Sequence, residues 1–389
     1  MFNQIIDRKC TNAAKLLEAF EEIGSDEIIT LSVADMDFRS SPEIVNKLVE
    51  FANHGIYGYT NITDHYNNAV KTWMKKRYDW EISKDWIVFC PRIIQAVSLL
   101  IQNNTKKGDK IVIQTPLYSP LKNAIELNER EVVTNPLAYI NNRYQMDFED
   151  LEYSFSAGAK AFILCSPHNP VGRVWEVEEL SKIVDLCEMY RVLLIADEVH
   201  ADFTYKKKHI PIGKIPTNYH NMVICTSPAK TFNLPGLEVS NIIIPDPVLR
   251  ASFKKSLRQS GIHNPSFFAV PALETAYLYG EEWLEQLKHY ILENYRFTRE
   301  FIHDNLPELK VIQADGTYLM WIDCRETGLN DDMLKQWFFK KAKVAVSLGS
   351  SFGIEGKGFI RLNIATPRSR LEEALKAILA TYPNHTRNT

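Results

Sequence analysis

The stretch "AKAFILCSPHNPVGRVWEVEELSKIVDLCEMYRVLLIADEV", residues 159–199, decides how the rest of the chain is read. Two apolar runs, "AFILC" and "VLLIA", flank "EVEELSKIVDLCEMY" (176–190), whose apolar residues recur at helical spacing. Strand, helix, strand in that order predicts a parallel, doubly wound sheet. Three further runs extend it: "DKIVIQTP" (109–116) upstream, and "MVICTS" (222–227) and "VSNIIIP" (239–245) downstream. All five are continuously apolar rather than alternating, which suits strands covered on both faces.

From about residue 284 the texture changes. A long helical stretch, "WLEQLKHYILENYRFTREFIHDNL", ends before Pro307. A helix near 331–342, the short strands "VAVSLG" and "GFIRLNIA", and a last helix at 369–381 follow. The expected architecture is therefore α/β. It has a large domain at 41–283 with a mostly parallel doubly wound sheet, a smaller α+β domain at 284–389, and an N-terminal segment, 1–40, packing with the small domain. No internal repeat or low-complexity tract interrupts this order.

Composition narrows the function classes. The chain has 389 residues, 45% of them hydrophobic and 24% charged, which is ordinary for a water-soluble globular protein. A net charge of −3 gives no bulk attraction to nucleic acid or to an anionic membrane, so neither is expected as a partner. The cysteines Cys10, Cys90, Cys165, Cys187, Cys225 and Cys324 form no C-x-x-C pair, so neither a zinc site nor a disulfide framework is indicated. A reducing, cytoplasmic setting is expected. The opening "MFNQIIDRKCTNAAK" lacks the apolar core of a signal peptide, and no run reaches the length of a membrane span.

In open α/β sheets, ligands bind beyond the carboxyl ends of the strands. Three polar signals fall there: "SPHNPVG", "DEVH" and "SPAK", which deliver Asn169, Asp197 and Lys230 to one edge. Taken singly, the asparagine is a turn residue, the aspartate a helix cap and the lysine a solvated loop residue. Taken together, they suit pyridoxal phosphate. That cofactor needs a lysine for its Schiff base and an acid beside its pyridine nitrogen, where negative charge favours the protonated ring. A dinucleotide is the weaker alternative, because no G-x-G-x-x-G follows the early strands.

At this point a family resemblance becomes specific. "SPHNPVG", "ADEVHADF", "SPAKTFNLPGL" and "FIRLN" together resemble the aspartate-aminotransferase-like, fold-type I pyridoxal-phosphate enzymes. "VADMDFRSSPEIV", "HGIYGYT", "DEVHADF" and "KTFNLPGL" are similar to a narrower group, the bacterial cystathionine β-lyases and cysteine C–S lyases. The likeness runs from about residue 30 to 380. It implies that Lys230 carries the cofactor, that Asp197 partners the pyridinium, and that Tyr118 stacks on the ring; these three make the catalytic set. It implies that Asn169 bonds the cofactor's 3′-oxygen near the substrate carboxylate, which Arg361 binds as a bidentate fork. Ser227 and the helix-start amides of Ile93 and Ile94 would hold the phosphate, and His200 would lie beside the cofactor without a catalytic role. Tyr59 would reach the phosphate of the neighbouring subunit in a homodimer with shared active sites, while Tyr57 would line the substrate pocket with "SGIHNPSFFAV" (260–270).

The departures matter as much. Related aminotransferases carry an arginine eight residues after the lysine; here that position is Glu238. The family's Pro-Gly-Val-Val reads "PRII" here, so Arg92 replaces a glycine, and Ala229 stands where a serine often precedes the lysine. The loss at 238 speaks for the lyase group. The expected function is thus C–S β-lysis of S-substituted L-cysteines, cystathionine-like, to thiol, pyruvate and ammonia. An aminotransferase sharing the first steps is the alternative, and a regulatory or binding protein that retains the fold is the alternative of another class.

Overall fold

The computed structural model describes residues 1–24 and 27–383; the last part of the expected small domain, 384–389, lies outside them. Its centre is a seven-stranded sheet. From one edge to the other the strands are Ile87–Cys90, Ser240–Ile243, Met222–Thr226, Leu193–Asp197, Ala161–Cys165, Lys110–Thr115 and Glu131–Pro136. All five strands expected from the sequence are present, and the helix between two of them spans Val177–Tyr190. The two strands that the sequence did not mark lie at the two edges. "IVFC" spans four residues, and "EVVTNP" is half exposed and ends in proline, so neither carries the long apolar signal of a central strand.

Ile111 and Ile113 pack into one apolar cluster with Ile163, Cys165, Ile195 and Val223, while Val112, Phe162, Leu164, Leu194 and Ile224 pack into the other. Successive side chains therefore enter opposite cores, which is why these strands read as unbroken apolar runs. Each Leu or Ile so buried contributes about 1.5–3 kcal/mol relative to exposure.

The strand Ser240–Ile243 runs against its neighbours, whereas the pairs from Glu131–Pro136 to Met222–Thr226 are parallel. The reason is local. The 227–239 connection stays on the carboxyl edge, where Lys230 sits in the one-turn helix Pro228–Thr231, so the next strand must start from that edge and return.

A second, antiparallel sheet orders Lys310–Val311, Leu319–Asp323, Phe359–Asn363 and Ser347–Leu348, backed by the helices Glu281–Asn305 and Arg368–Ala380. The division drawn at 283/284 falls inside the first turn of Glu281–Asn305, because Gly280 closes the preceding helix and Trp283 is already buried. The region near 331–342 is an α-turn, Asp331–Lys335, that widens into the π-helical turn Gln336–Lys341. In the N-terminal segment Ile29–Thr30 pairs in parallel with Val344–Ala345, and Leu31 accepts a hydrogen bond from the Asn363 amide.

One glycine is required where the two sheets meet. Gly172, in "SPHNPVG", has φ +70°, and a Cβ there would lie 2.6 Å from the Ala314 Cβ and 2.9 Å from the Gly316 carbonyl. Gly172→Ala should therefore destabilise the protein by about 1–3 kcal/mol, from overpacking plus a left-handed backbone. Denaturant unfolding reads this directly, and an unchanged midpoint would contradict the close approach.

Candidate active site

The parallel strands that end in "ADEV" and "CTSPAK" deliver their next residues to one cleft, as strand polarity requires, while Asn169, after "CSPH" on the neighbouring strand, meets it through Arg361. The cleft has two lobes of about 870 and 850 Å³ that share Tyr118, Pro120 and Lys230. The first lobe is lined by Asp197, Ser227, Ile93, Ile94, Arg92 and Glu238. The second is lined by Arg361, Phe352, Ser347 and the backbone at Ser32–Ala34.

Lys230 Nζ donates to the Ala34 carbonyl at 2.6 Å. Burial, with the Arg361 charge, pulls its ammonium down to about 8 against the opposing charges of Asp35 and Asp197. Asp197 closes its strand almost fully buried, and its Oδ1 accepts from the Val199 amide at 3.2 Å. Burial pushes its carboxyl up to about 6, with the Val199 N–H and Lys230 pulling the other way. A buried carboxylate with one backbone bond is a good partner for a cationic ring nitrogen.

Arg361, 4% exposed, is aimed by three contacts. Nη1 donates to Asn169 Oδ1 at 2.9 Å, and Nη2 donates to the Ser32 carbonyl at 3.0 Å and to Ser347 Oγ at 3.2 Å. Its guanidinium lies 4.7 Å from the Phe352 ring centroid, and Nε has no partner. Burial lowers it to about 10, so it stays charged at neutral pH. Tyr118 caps the helix Ser119–Glu126, and burial and the Asp197 charge raise its phenol. His200 is buried with Nδ1 unpartnered, and burial and the nearby cations Lys230 and Arg361 push it down to about 3, so it is neutral.

The Ser227 hydroxyl lines the cleft but is committed locally. It donates to the Val239 carbonyl at 2.6 Å and accepts from the Ala229 amide at 3.0 Å. Ile93 and Ile94 open the helix Ile93–Asn104, whose N-cap Arg92 makes no side-chain cap, leaving the first-turn amides toward the cleft. Tyr57 and Tyr59 are not among the residues lining the cleft of their own protomer. Tyr57 is 61% exposed, donates to the Ala52 carbonyl and packs against Phe267 and Phe268, while Tyr59 is 97% exposed. Phe267 and Phe268 of the 260–270 segment pack against Tyr57, and no residue of that segment is among those lining either lobe in its own protomer.

Sequence reasoning missed the frame around Ala34. Tyr318 Oη also donates to the Ala34 carbonyl, at 3.1 Å. Asn363 Nδ2 holds the Val33 and Asp35 carbonyls, and Asn233, three residues after Lys230, binds Met36 and Phe38. Arg8 and the buried Lys15 pair with Asp35 and Asp37. The acids in "VADMDF" and the asparagine in "KTFN" were the available signals, but Asn233 and Asn363 reach this segment across 197 and 330 residues.

These residues fit pyridoxal phosphate. They supply an amine, a buried acid, an aromatic face, a first lobe of suitable size and helix-start amides for a phosphate. Among the described residues no group of side chains is arranged to hold a metal ion, and no helix is long and apolar enough to cross a membrane.

Comparison with known proteins points the same way. The family profile described as aminotransferase class I and II matches residues 26–378. The chain is 38% identical over 382 residues to cystathionine beta-lyase PatB of Bacillus subtilis, covering 97% of this chain and 99% of that one. It superposes on a pyridoxal-phosphate-bound putative aminotransferase of Clostridium difficile with a TM-score of 0.95 and 41% identity, covering 97% and 98% of the two chains. It also superposes on cystalysin of Treponema denticola, which contains a pyridoxal 5′-phosphate cofactor, with a TM-score of 0.95 and 34% identity over 98% of each chain. This chain therefore belongs to the aminotransferase class I and II family of fold-type I pyridoxal-phosphate enzymes, within the group that holds the bacterial cystathionine β-lyases and C–S lyases.

Proposed function

We propose that this chain is a pyridoxal-phosphate-dependent C–S β-lyase. It cleaves the Cβ–S bond of S-substituted L-cysteines and, with one water, yields a thiol, pyruvate and ammonia. The observation that carries the reading is a single cleft in which Lys230 lines both lobes, Asp197 lines the first, and Arg361, held by Asn169, lines the second.

When held by Lys230, pyridoxal phosphate supplies an electron sink for the pair left on Cα. The chain's own residues do the rest. Arg361, set by Asn169, Ser347 and the Ser32 carbonyl, clamps the substrate α-carboxylate and fixes which Cα bond faces the cofactor. Lys230, held near 8 by burial, serves as an amine base for the Cα proton once it is free of the cofactor. With the cofactor bound, Asp197 would present its charge to the ring nitrogen, and Tyr118 would cover one ring face. Sulfur then leaves as a thiolate, a competent leaving group because thiols ionise near 8.5.

Arg361→Lys should raise KM by roughly ten- to a hundredfold with a smaller effect on kcat, because an ammonium cannot form the bidentate pair. Steady-state kinetics that match the wild type would place the carboxylate elsewhere. The reaction itself is tested by incubating holoenzyme with cystathionine, cystine and S-alkyl cysteines and following thiol and pyruvate. Thiol release without an added keto acid supports lysis. Amino transfer to 2-oxoglutarate with no thiol supports the aminotransferase reading, which the likeness to a putative aminotransferase keeps in play.

The enzyme works as a homodimer with shared sites. The exposed apolar run at Ile56, Tyr57 and Tyr59 supports this, since such a surface favours burial against a second copy. Tyr59 then reaches the partner's cofactor phosphate. Tyr59→Asp and Lys230→Ala should each be inactive, yet refolding them together should restore roughly a quarter of wild-type activity. Half the dimers are hybrids, and each hybrid carries one intact site. Hybrids that form and stay inactive would show that both residues serve one chain's site. Five of the cysteines are buried free thiols, which fits a reducing cytoplasm.

A further inference from the structure

Two of the family departures meet in space. Ser240 pairs with Cys90 in the antiparallel register, and the Ser240 hydroxyl donates to the Cys90 carbonyl at 2.6 Å. Two residues beyond on each strand, Arg92 and Glu238 therefore face one another, and they form an ion pair at the wall of the first lobe. Arg92 is the N-cap of Ile93–Asn104 and lines the first lobe together with Ile93 and Ile94, whose amides open that helix.

We propose that Arg92 is the cationic ligand of the cofactor phosphate, and that Glu238 holds its guanidinium in place. The inference rests on the cofactor reading above and names how this chain balances the phosphate charge. Of the described residues of one protomer that line this lobe, only Arg92 and Lys230 are cationic, and Lys230 is taken up by the cofactor aldehyde. Against them stand Asp197 and Glu238, so a phosphate bearing nearly two negative charges would face an uncompensated acidic wall without Arg92. Neutral donors are few. The Ser227 and Ser240 hydroxyl protons are spent on Val239 and Cys90, residue 229 is an alanine, and the rest are the Tyr118 phenol, Gln95, Ser98 and the amides at the helix start. A planar guanidinium bonds a phosphate bidentately while keeping one edge for a carboxylate, which lets Arg92 bridge Glu238 and the phosphate.

The test titrates cofactor-free protein with pyridoxal phosphate, and in parallel with pyridoxal, which lacks the phosphate, following the visible band of the lysine-bound form. R92Q should bind pyridoxal phosphate about ten- to a hundredfold more weakly, the scale of one lost charge-assisted pair. R92E should bind more weakly still. The reversed pair R92E/E238R, which moves the cation across the same wall, should recover most of that loss. Pyridoxal should bind all variants alike. The assignment is overturned if R92Q keeps wild-type affinity, if E238R fails to rescue R92E, or if pyridoxal binding falls in step with that of the ester. If the wild-type protein takes up neither compound, the cofactor reading itself falls, and the arginine assignment falls with it.

Discussion

Lys230→Ala should abolish C–S cleavage, lowering kcat by more than about a thousandfold, the scale on which enzymes lose rate when a nucleophile or base is removed. The visible band of lysine-bound cofactor should vanish with it, while the far-ultraviolet circular dichroism stays unchanged. The fold should survive, because Lys230 is anchored by one bond to the Ala34 carbonyl, which keeps a second donor in Tyr318. The ammonium held near 8 adds a pH signature. Only the neutral amine attacks an aldehyde, so cofactor capture by the unloaded wild-type protein should accelerate as pH rises through about 8. Thiol release by Lys230→Ala at more than a few per cent of the wild-type rate would remove Lys230 from both of its roles.

Asp197→Asn should retain cofactor yet lose at least about a hundredfold in kcat, because an amide carries no charge to keep the facing ring nitrogen protonated. Shape is preserved, and Asn Oδ1 can still accept from the Val199 amide, so a folding defect is not expected. The sign of the pH effect follows from burial. The unloaded carboxyl titrates near 6, above its ordinary range, so it is charged above that pH and neutral below it. Cofactor affinity of the unloaded wild-type protein should therefore weaken as pH falls through about 6, and the Asn variant should lack that step. A normal kcat with a normal absorption spectrum would show that another group protonates the ring.

The Arg361 result bears on both variants, since Arg361 lowers Lys230 and lines the lobe that Lys230 shares. Its substitution should leave cofactor uptake intact while shifting KM, which separates substrate binding from cofactor chemistry.

Local pattern was enough for the central strands, the helix Val177–Tyr190 and the placement of Asn169, Asp197 and Lys230 at strand ends. Unbroken apolar runs of this length have few other solutions than strands buried on both faces, and strand polarity then determines which end meets the ligand. The roles proposed for Arg361 and Tyr118 came only from family motifs, because a lone arginine in an apolar strand and a tyrosine before a helix have ordinary structural explanations. Long-range geometry decided the remainder. The Ala34 carbonyl takes hydrogen bonds from Lys230 and Tyr318 across 196 and 284 residues, and the Arg8–Lys15–Asp35–Asp37 cluster braces the same segment; no local periodicity encodes the first two contacts. Arg92 and Glu238 looked like two separate losses in the chain. Their pairing arises because Ser240–Ile243 turns back against Ile87–Cys90, a strand too short to announce itself. The physical reason is the same in each case: side-chain period and turn chemistry are local, whereas register between distant strands is set by the packing of the whole sheet.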